Sequence, residues 1–255
     1  MTVTRNLDLF GAEPIPLPSV PLDPSSTVVL GVDEAGRGPA LGPLVLAVVG
    51  VSPRAAARLT RAGLTDSKAF GSGEDAHAIR CELAELVREV ADYVAFEVFD
   101  VATIDAYVGR GALNVLEREG AERLLRAAPA ARRIIADGRT LFSPMRVVFP
   151  GLEARDRAET FHAAVAAASV VAKVERDNQV AAIAARYLAE FGPLRGGGYV
   201  NEGTRAFVRA YIATYGCLPP EARRSWPWTG VDLPPSETLV VEAAVMTAEL
   251  DLEAT

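Results

Sequence analysis

Residues 30–49 read LGVDEAGRGPALGPLVLAVV, and no other stretch so limits what the chain can become. An apolar run ends in two adjacent acids, Asp33 and Glu34, and Gly36, Arg37, Gly38 and Pro39 follow at once. A Gly-Pro turn then starts a second apolar run. Short apolar runs bounded by glycine and proline read as buried strands, so the pair forms a hairpin with charge at its mouth. Acids at the end of a buried strand are costly to place unless a cation neutralises them. Gly36 and Gly38 let backbone N–H groups approach a ligand, and the planar fork of Arg37 suits phosphate. Metal-binding carboxylates beside a phosphate-facing glycine loop point to phosphodiester chemistry. The alternative is a tight hairpin whose acids are merely solvated, since glycine and proline mark turns wherever they fall.

The rest of the chain alternates strands with helices. Residues 1–26, with PIPLPSVPLDPSS, read as an extended Pro-rich tail. Strands are predicted at 27–32, 44–51, 93–99, 133–136 and 145–149, and helices at 52–62, 74–90 and 114–127. One long alanine-rich helix is expected from 158 to 191, ended by Gly192 and Pro193, with a glycine run at 196–198 after it. Later helices are expected at 204–215 and 236–250. The pattern is α/β. Half of the 255 residues are hydrophobic, enough for one sizeable core with an appendage.

Composition excludes several classes. No apolar stretch is long enough to span a membrane, and MTVTRNLDLFG lacks the regions of a secretion signal, so a cytoplasmic location is expected. Two cysteines without CxxC spacing and two histidines make a zinc site or disulfide framework improbable. A net charge of −7 argues against a generally sticky nucleic-acid binder, yet leaves room for a nuclease with acids at its centre.

The 30–49 segment resembles the signature of prokaryotic type 2 ribonuclease H, ribonuclease HII. In that family an aspartate–glutamate pair precedes Ala-Gly-Arg-Gly-Pro and a Gly-Pro turn. Matches continue in the family's order with LTDSK at 64–68, IADG at 135–138, AAASVVAKVERD at 166–177, GGGY at 196–199 and PPEARRSW at 219–226. The resemblance covers roughly residues 27–228. It implies a ribonuclease H-like mixed sheet flanked by helices over 27–194, with a small helical C-terminal subdomain over 195–255. It also implies an endoribonuclease acting on RNA–DNA hybrids and cutting duplex DNA 5′ of embedded ribonucleotides, expected as a monomer.

Such hydrolysis needs an activated water and stabilisation of the leaving oxygen, which two divalent ions about 4 Å apart supply. Mg2+ or Mn2+ takes oxygen ligands, so carboxylates suffice and no histidine is required. Asp33, Glu34 and Asp137 are the first three candidates. The family's fourth acid is an aspartate ten residues before the serine of Ala-Ala-Ser, and counting back from Ser169 reaches Glu159. Glutamate extends the carboxylate by about one C–C bond, roughly 1.5 Å. Asp156 and Asp177 compete for this role, and a solvated acid at a helix start is the plain alternative for Glu159.

Discrimination of RNA from DNA requires contact with the 2′-hydroxyl. The resemblance assigns this to backbone groups of Gly36, Arg37 and Gly38, and places the ring of Tyr199 on the following deoxyribose. It brings Ser67 and Lys68 to substrate phosphate. Ser169 and Lys173 share a helix face, and either meet phosphate or support the acids. Arg223, Arg224 and Trp226 are expected to brace the C-terminal part. A hybrid-binding protein that lost catalytic geometry through Glu159 is the alternative from another class. A small-molecule phosphate enzyme is disfavoured because neither GxxxxGK[ST] nor GxGxxG occurs. Finally, Asn6, Leu7, Asp8, Leu9 and Phe10 resemble the peptide by which bacterial replication and repair proteins dock on a sliding clamp, with the Pro-rich stretch as spacer.

Overall fold

The computed structural model describes residues 22–64 and 74–235. The β1 strand (Val29–Ala35) pairs antiparallel with β2 (Leu44–Val51), which pairs antiparallel with β3 (Tyr93–Phe99). On its other side β1 runs parallel to β4 (Arg133–Asp137), and β4 runs parallel to β5 (Leu152–Arg155). The result is a mixed five-stranded sheet in the order β3-β2-β1-β4-β5.

Period-two alternation along β2 builds two cores. Leu44, Leu46 and Val48 face one side of the sheet, with Leu30, Val32, Phe99 and Leu116. Val45, Ala47, Val49 and Val51 face the other, with Leu59, Leu83, Val87 and the alanines at 166–168. All eight β2 residues are buried. Each such Val or Leu contributes on the order of 1.5–3 kcal/mol, which makes β2 the anchor of the sheet.

Helices cover both faces. α1 (Pro53–Arg61), α2 (Glu74–Val90) and the long α6 (Ala163–Phe191) lie on the second core. α3 (Val101–Val108), α4 (Leu113–Ala127) and α5 (Arg139–Phe142) lie on the first. α6 reaches the sheet unusually closely because β1 carries Gly31. A Cβ there would stand 2.2 Å from the backbone carbon of Ala164, so any other residue would push the helix away. That contact fixes α6 against the strand that carries Asp33 and Glu34 near its end. A third core joins Ile183 and Tyr187 of α6 to Phe207 and Val208 of α7 (Glu202–Tyr215), and to Leu218, Ala222, Trp228 and Val231. Ala40 and Leu41 from the β1–β2 loop lie within it.

Two expectations are corrected, and one helix was missed. Residues 145–149 are not a strand: Pro144 starts a 3-10 turn over Ser143–Val147, and β5 occupies the sheet edge instead. The long helix does not start at 158. Arg157 adopts a left-handed conformation (φ 59°), a separate 3-10 turn spans Ala158–Thr160, and α6 begins at Ala163 with His162 as its cap. α3, opened by an Asp100 cap on the Thr103 N–H, was not predicted. The helix expected at 236–250, the tail up to residue 21, and Ser67 and Lys68 lie outside the described residues. Cys81 and Cys217 are both free thiols. Among the described residues, no helix is long and apolar enough to cross a membrane.

Candidate active site

Parallel strands bring their C-terminal ends to one edge, and here that edge is acidic. Val32 pairs with Ala136 in the β1–β4 register, so the next residues, Asp33 and Asp137, sit on neighbouring strand ends. Asp33 is only 5% exposed. Its Oδ1 accepts the Glu34 N–H at 2.8 Å, and the Ser169 hydroxyl of α6 donates to the same carboxylate. Burial, then repulsion from Glu34 and Asp137, holds Asp33 well above the usual carboxylate range. Glu34 is pushed up to about 7, first by burial and then by repulsion from Glu117, with Arg37 opposing. Such acids hold their protons to higher pH than exposed carboxylates do, and a bound cation would favour their ionised form.

Asp137 does a second job. Its Oδ1 accepts the Ala158 N–H at 2.9 Å, capping the turn that carries Glu159. Glu159 is itself buried, which removes the reading of a solvated helix-start acid. Asp156 instead accepts the Arg139 N–H at 2.8 Å and caps α5. Asp177 pairs with Lys173 and lies 3.7 Å from His77 Nδ1. Both are thus engaged elsewhere. The donor set of carboxylates, without thiol or imidazole, fits a hard divalent cation. Among the described residues, however, no three His, Cys, Asp or Glu side chains stand together as a preformed cage.

The glycine loop and Tyr199 lie side by side. Gly36 needs its positive φ of 96° to turn the chain. A Cβ on Gly38 would touch Cε1 of Tyr199 at 3.4 Å, and the tyrosine is 57% exposed beside it. The Ser169 hydroxyl turns to Asp33, one of the candidate acids, whereas the Lys173 ammonium pairs with Asp177, which is not one of them.

Two residues near the loop were not foreseen as site components. Glu117 of α4 is fully buried, ion-pairs with Arg37, and raises Glu34 electrostatically. Its signal was an acid on the apolar face of α4, one turn before Gly120 and Ala121, which are buried with it. Arg223 is also fully buried and bonds to the loop carbonyls of Gly36, Arg37 and Gly42.

With this geometry established, likeness to known proteins is informative. The sequence model of the family described as Ribonuclease HII matches residues 30–229. The Ribonuclease HII of Pyrobaculum neutrophilum is 37% identical over 204 residues, covering 78% of this chain and 93% of that protein. The crystal structure of the ribonuclease H2 from Pyrococcus horikoshii OT3 is similar with a TM-score of 0.66 and 26% identity, covering 86% of this chain and 99% of that one. The RNase HII of Archaeoglobus fulgidus, solved in complex with PCNA, is similar with a TM-score of 0.65 and 29% identity over 78% of this chain and 93% of that one.

Proposed function

The chain belongs to the ribonuclease HII family and is accordingly a ribonuclease H, an endonuclease acting on RNA–DNA hybrids, and we propose that it also incises duplex DNA on the 5′ side of single embedded ribonucleotides. Asp33, Glu34, Asp137 and Glu159 are the proposed metal-binding acids. Mg2+ or Mn2+ held by them would supply an activated water and neutralise charge on the leaving oxygen. The observation that carries this reading is the set of mutually repelling acids at adjacent strand ends, Asp33 buried and Glu34 and Asp137 half-buried, next to a glycine loop and an exposed tyrosine ring.

Each side chain then has a task. Ser169 orients Asp33 through its hydroxyl, so that the carboxylate stays at the strand end. Asp137 ties β4 to the Ala158–Thr160 turn and thereby fixes where Glu159 stands. Backbone N–H groups of the Gly36–Gly38 loop bond the ribose 2′-hydroxyl, which DNA lacks. Tyr199 presents its ring to the sugar beyond. Ser67, Lys68 and Lys173 steer phosphate, with the Lys173 ammonium held by Asp177 in the absence of substrate. Cleavage leaves a 5′-phosphate.

The decisive assay offers a duplex with one ribonucleotide, with Mg2+ or Mn2+ added, and maps the products. A single cut 5′ of the ribonucleotide is expected. Binding without cutting in either metal would overturn the catalytic reading in favour of a hybrid-binding protein.

The segment Asn6 to Phe10 is proposed to dock on a sliding clamp through Leu7, Leu9 and Phe10, supported by the PCNA complex of the Archaeoglobus fulgidus relative. Wild type should bind a purified clamp and a Leu9→Ala, Phe10→Ala double variant should not; equal affinity in both removes the idea.

A further inference from the structure

The loop between β1 and β2 turns its carbonyl oxygens toward one residue, 187 positions away for the first of them. Arg223 Nη2 donates to the Gly36 carbonyl at 2.6 Å, Nη1 to that of Arg37 at 3.2 Å, and Nε to that of Gly42 at 3.0 Å. Its backbone N–H donates to the Ala40 carbonyl at 2.8 Å. The neighbouring Trp226 Nε1 donates to the Gly38 carbonyl at 3.2 Å, and its ring lies under the Arg223 guanidinium at 4.7 Å. The segment is held in turn by Asp105 of α3, whose carboxylate accepts the N–H groups of Arg224 at 2.9 Å and Ser225 at 3.0 Å.

This arrangement has a directional consequence. None of these peptide bonds is cis, and in a trans peptide the N–H lies opposite its own C=O. With the Gly36 and Arg37 carbonyls fixed on the guanidinium, the N–H groups of Arg37 and Gly38 must face away from it. Neither donates to an acceptor among the described residues. A fully buried guanidinium is an expensive choice for a simple brace, because carbonyls satisfy its protons without cancelling its charge. Burial and the second buried cation, Arg176, lower its pKa to about 10, with Asp105 and Glu117 opposing. Only a planar, multiply donating group reaches three divergent carbonyls at once.

We propose that Arg223 is a positioning residue for substrate discrimination. It locks the loop carbonyls inward so that the amides of Arg37 and Gly38 are presented to a ribose 2′-hydroxyl. The proposal rests on the reading of that loop given above, and it extends the site to a residue that never touches substrate.

The test measures cleavage of a single-ribonucleotide duplex with Mn2+ by wild type, Arg223→Lys and Trp226→Phe, with an all-DNA duplex as competitive inhibitor. Arg223→Lys keeps the charge but loses the fork, and should raise KM about tenfold, the worth of one or two hydrogen bonds. The inhibition constant of the all-DNA duplex should stay within about twofold. Trp226→Phe removes the indole N–H together with part of the ring that lies under the Arg223 guanidinium, and should raise KM about threefold, again without changing the DNA constant. Thermal melting of each variant accompanies the kinetics. If Arg223→Lys does not fold, Trp226→Phe decides alone. Unchanged KM, or KM and the DNA constant rising together, overturns the proposal and leaves Arg223 a structural brace. If wild type itself fails to prefer the ribonucleotide duplex, the loop reading fails and takes this one with it.

Discussion

Arg37 and Glu117, eighty residues apart, form an ion pair between the β1–β2 glycine loop and the buried face of α4, with Asn114 accepting from the second η-nitrogen at 2.6 Å. The phosphate-suited fork of Arg37 is therefore already occupied from behind, and the loop is tied to α4 through this side chain as well as to Arg223 and Trp226 through its carbonyls. The pair sits beside Glu34, where its two charges act in opposite senses.

Glu117→Gln should accordingly tune the metal site from a distance. Glu117 is the largest charged contributor to the raised pKa of Glu34. Removing that charge while keeping the shape should lower the Glu34 pKa and shift the acidic limb of the pH–rate profile downward by about one unit, a shift worth about 1.4 kcal/mol. An unshifted limb with an unchanged maximum rate would show that Glu117 does not act on Glu34.

Stability without metal should fall as pH rises. Glu34 has an ordinary pKa of 4.5 and reaches about 7 in the folded chain. The folded state thus binds this proton more tightly than the unfolded state. Its contribution is fully present below about pH 4.5 and is lost as pH rises through about 7. Asp33, also raised, adds in the same direction. In EDTA the Tm should therefore decline from about pH 5 to about pH 8. Glu34→Gln should flatten part of the decline, and Mg2+ or Mn2+ should reverse it most at the alkaline end. A Glu34→Gln slope identical to wild type would contradict the assignment.

What the sequence made legible, and what it hid, follows from the kind of signal each element carries. β1, β2 and β3 announce themselves by apolar runs, and α2 and α4 by apolar spacing. The acids at the ends of β1 and β4 stand out because charge follows an apolar run at once. β5 was hidden because its four residues, Leu152–Arg155, carry two charges, with Glu153 pairing to both Arg155 and Arg133. The break before α6 was hidden because alanines propagate a helix in any reading, whereas the interruption comes from Arg157 in a left-handed conformation and a cap supplied by Asp137. Arg223 was legible as a motif residue but not as a part of the loop. Its partners are backbone carbonyls, which leave no trace in side-chain pattern.

Among the proposed metal-binding acids, Glu159 is the one that departs from the pattern of the resembled family, and its burial makes the departure testable. Glu159→Ala should lower turnover on the order of a hundredfold or more if it is the fourth acid, in line with what a misplacement near 1 Å costs. Glu159→Asp should retain or raise the rate, because the shorter side chain restores the usual reach. A fully active Glu159→Ala enzyme would move the fourth role to another carboxylate. Asp156 would then be the next to test, at the expense of its cap on α5.

Tyr199 offers the last separation of recognition from support. Its ring is more than half exposed and lies against Gly38, at the side of the loop rather than in the aromatic cluster of Tyr187, Phe191, Phe207 and Tyr211 that forms part of the third core. Removing an exposed ring forfeits little packing, so Tyr199→Ala should change Tm by no more than about 2 °C, as for a surface substitution within about 0.5 kcal/mol. Cleavage at an isolated ribonucleotide in DNA should nevertheless fall about tenfold or more, within the 1–3 kcal/mol that stacking contacts to nucleic acid contribute. Tyr199→Phe should recover most of that loss, since the proposed role needs the ring and not the hydroxyl. A uniform RNA–DNA hybrid presents no junction at most positions and should be cut with a smaller penalty. Equal losses on the two substrates, accompanied by a matching fall in Tm, would instead make Tyr199 a structural residue of the 196–199 turn.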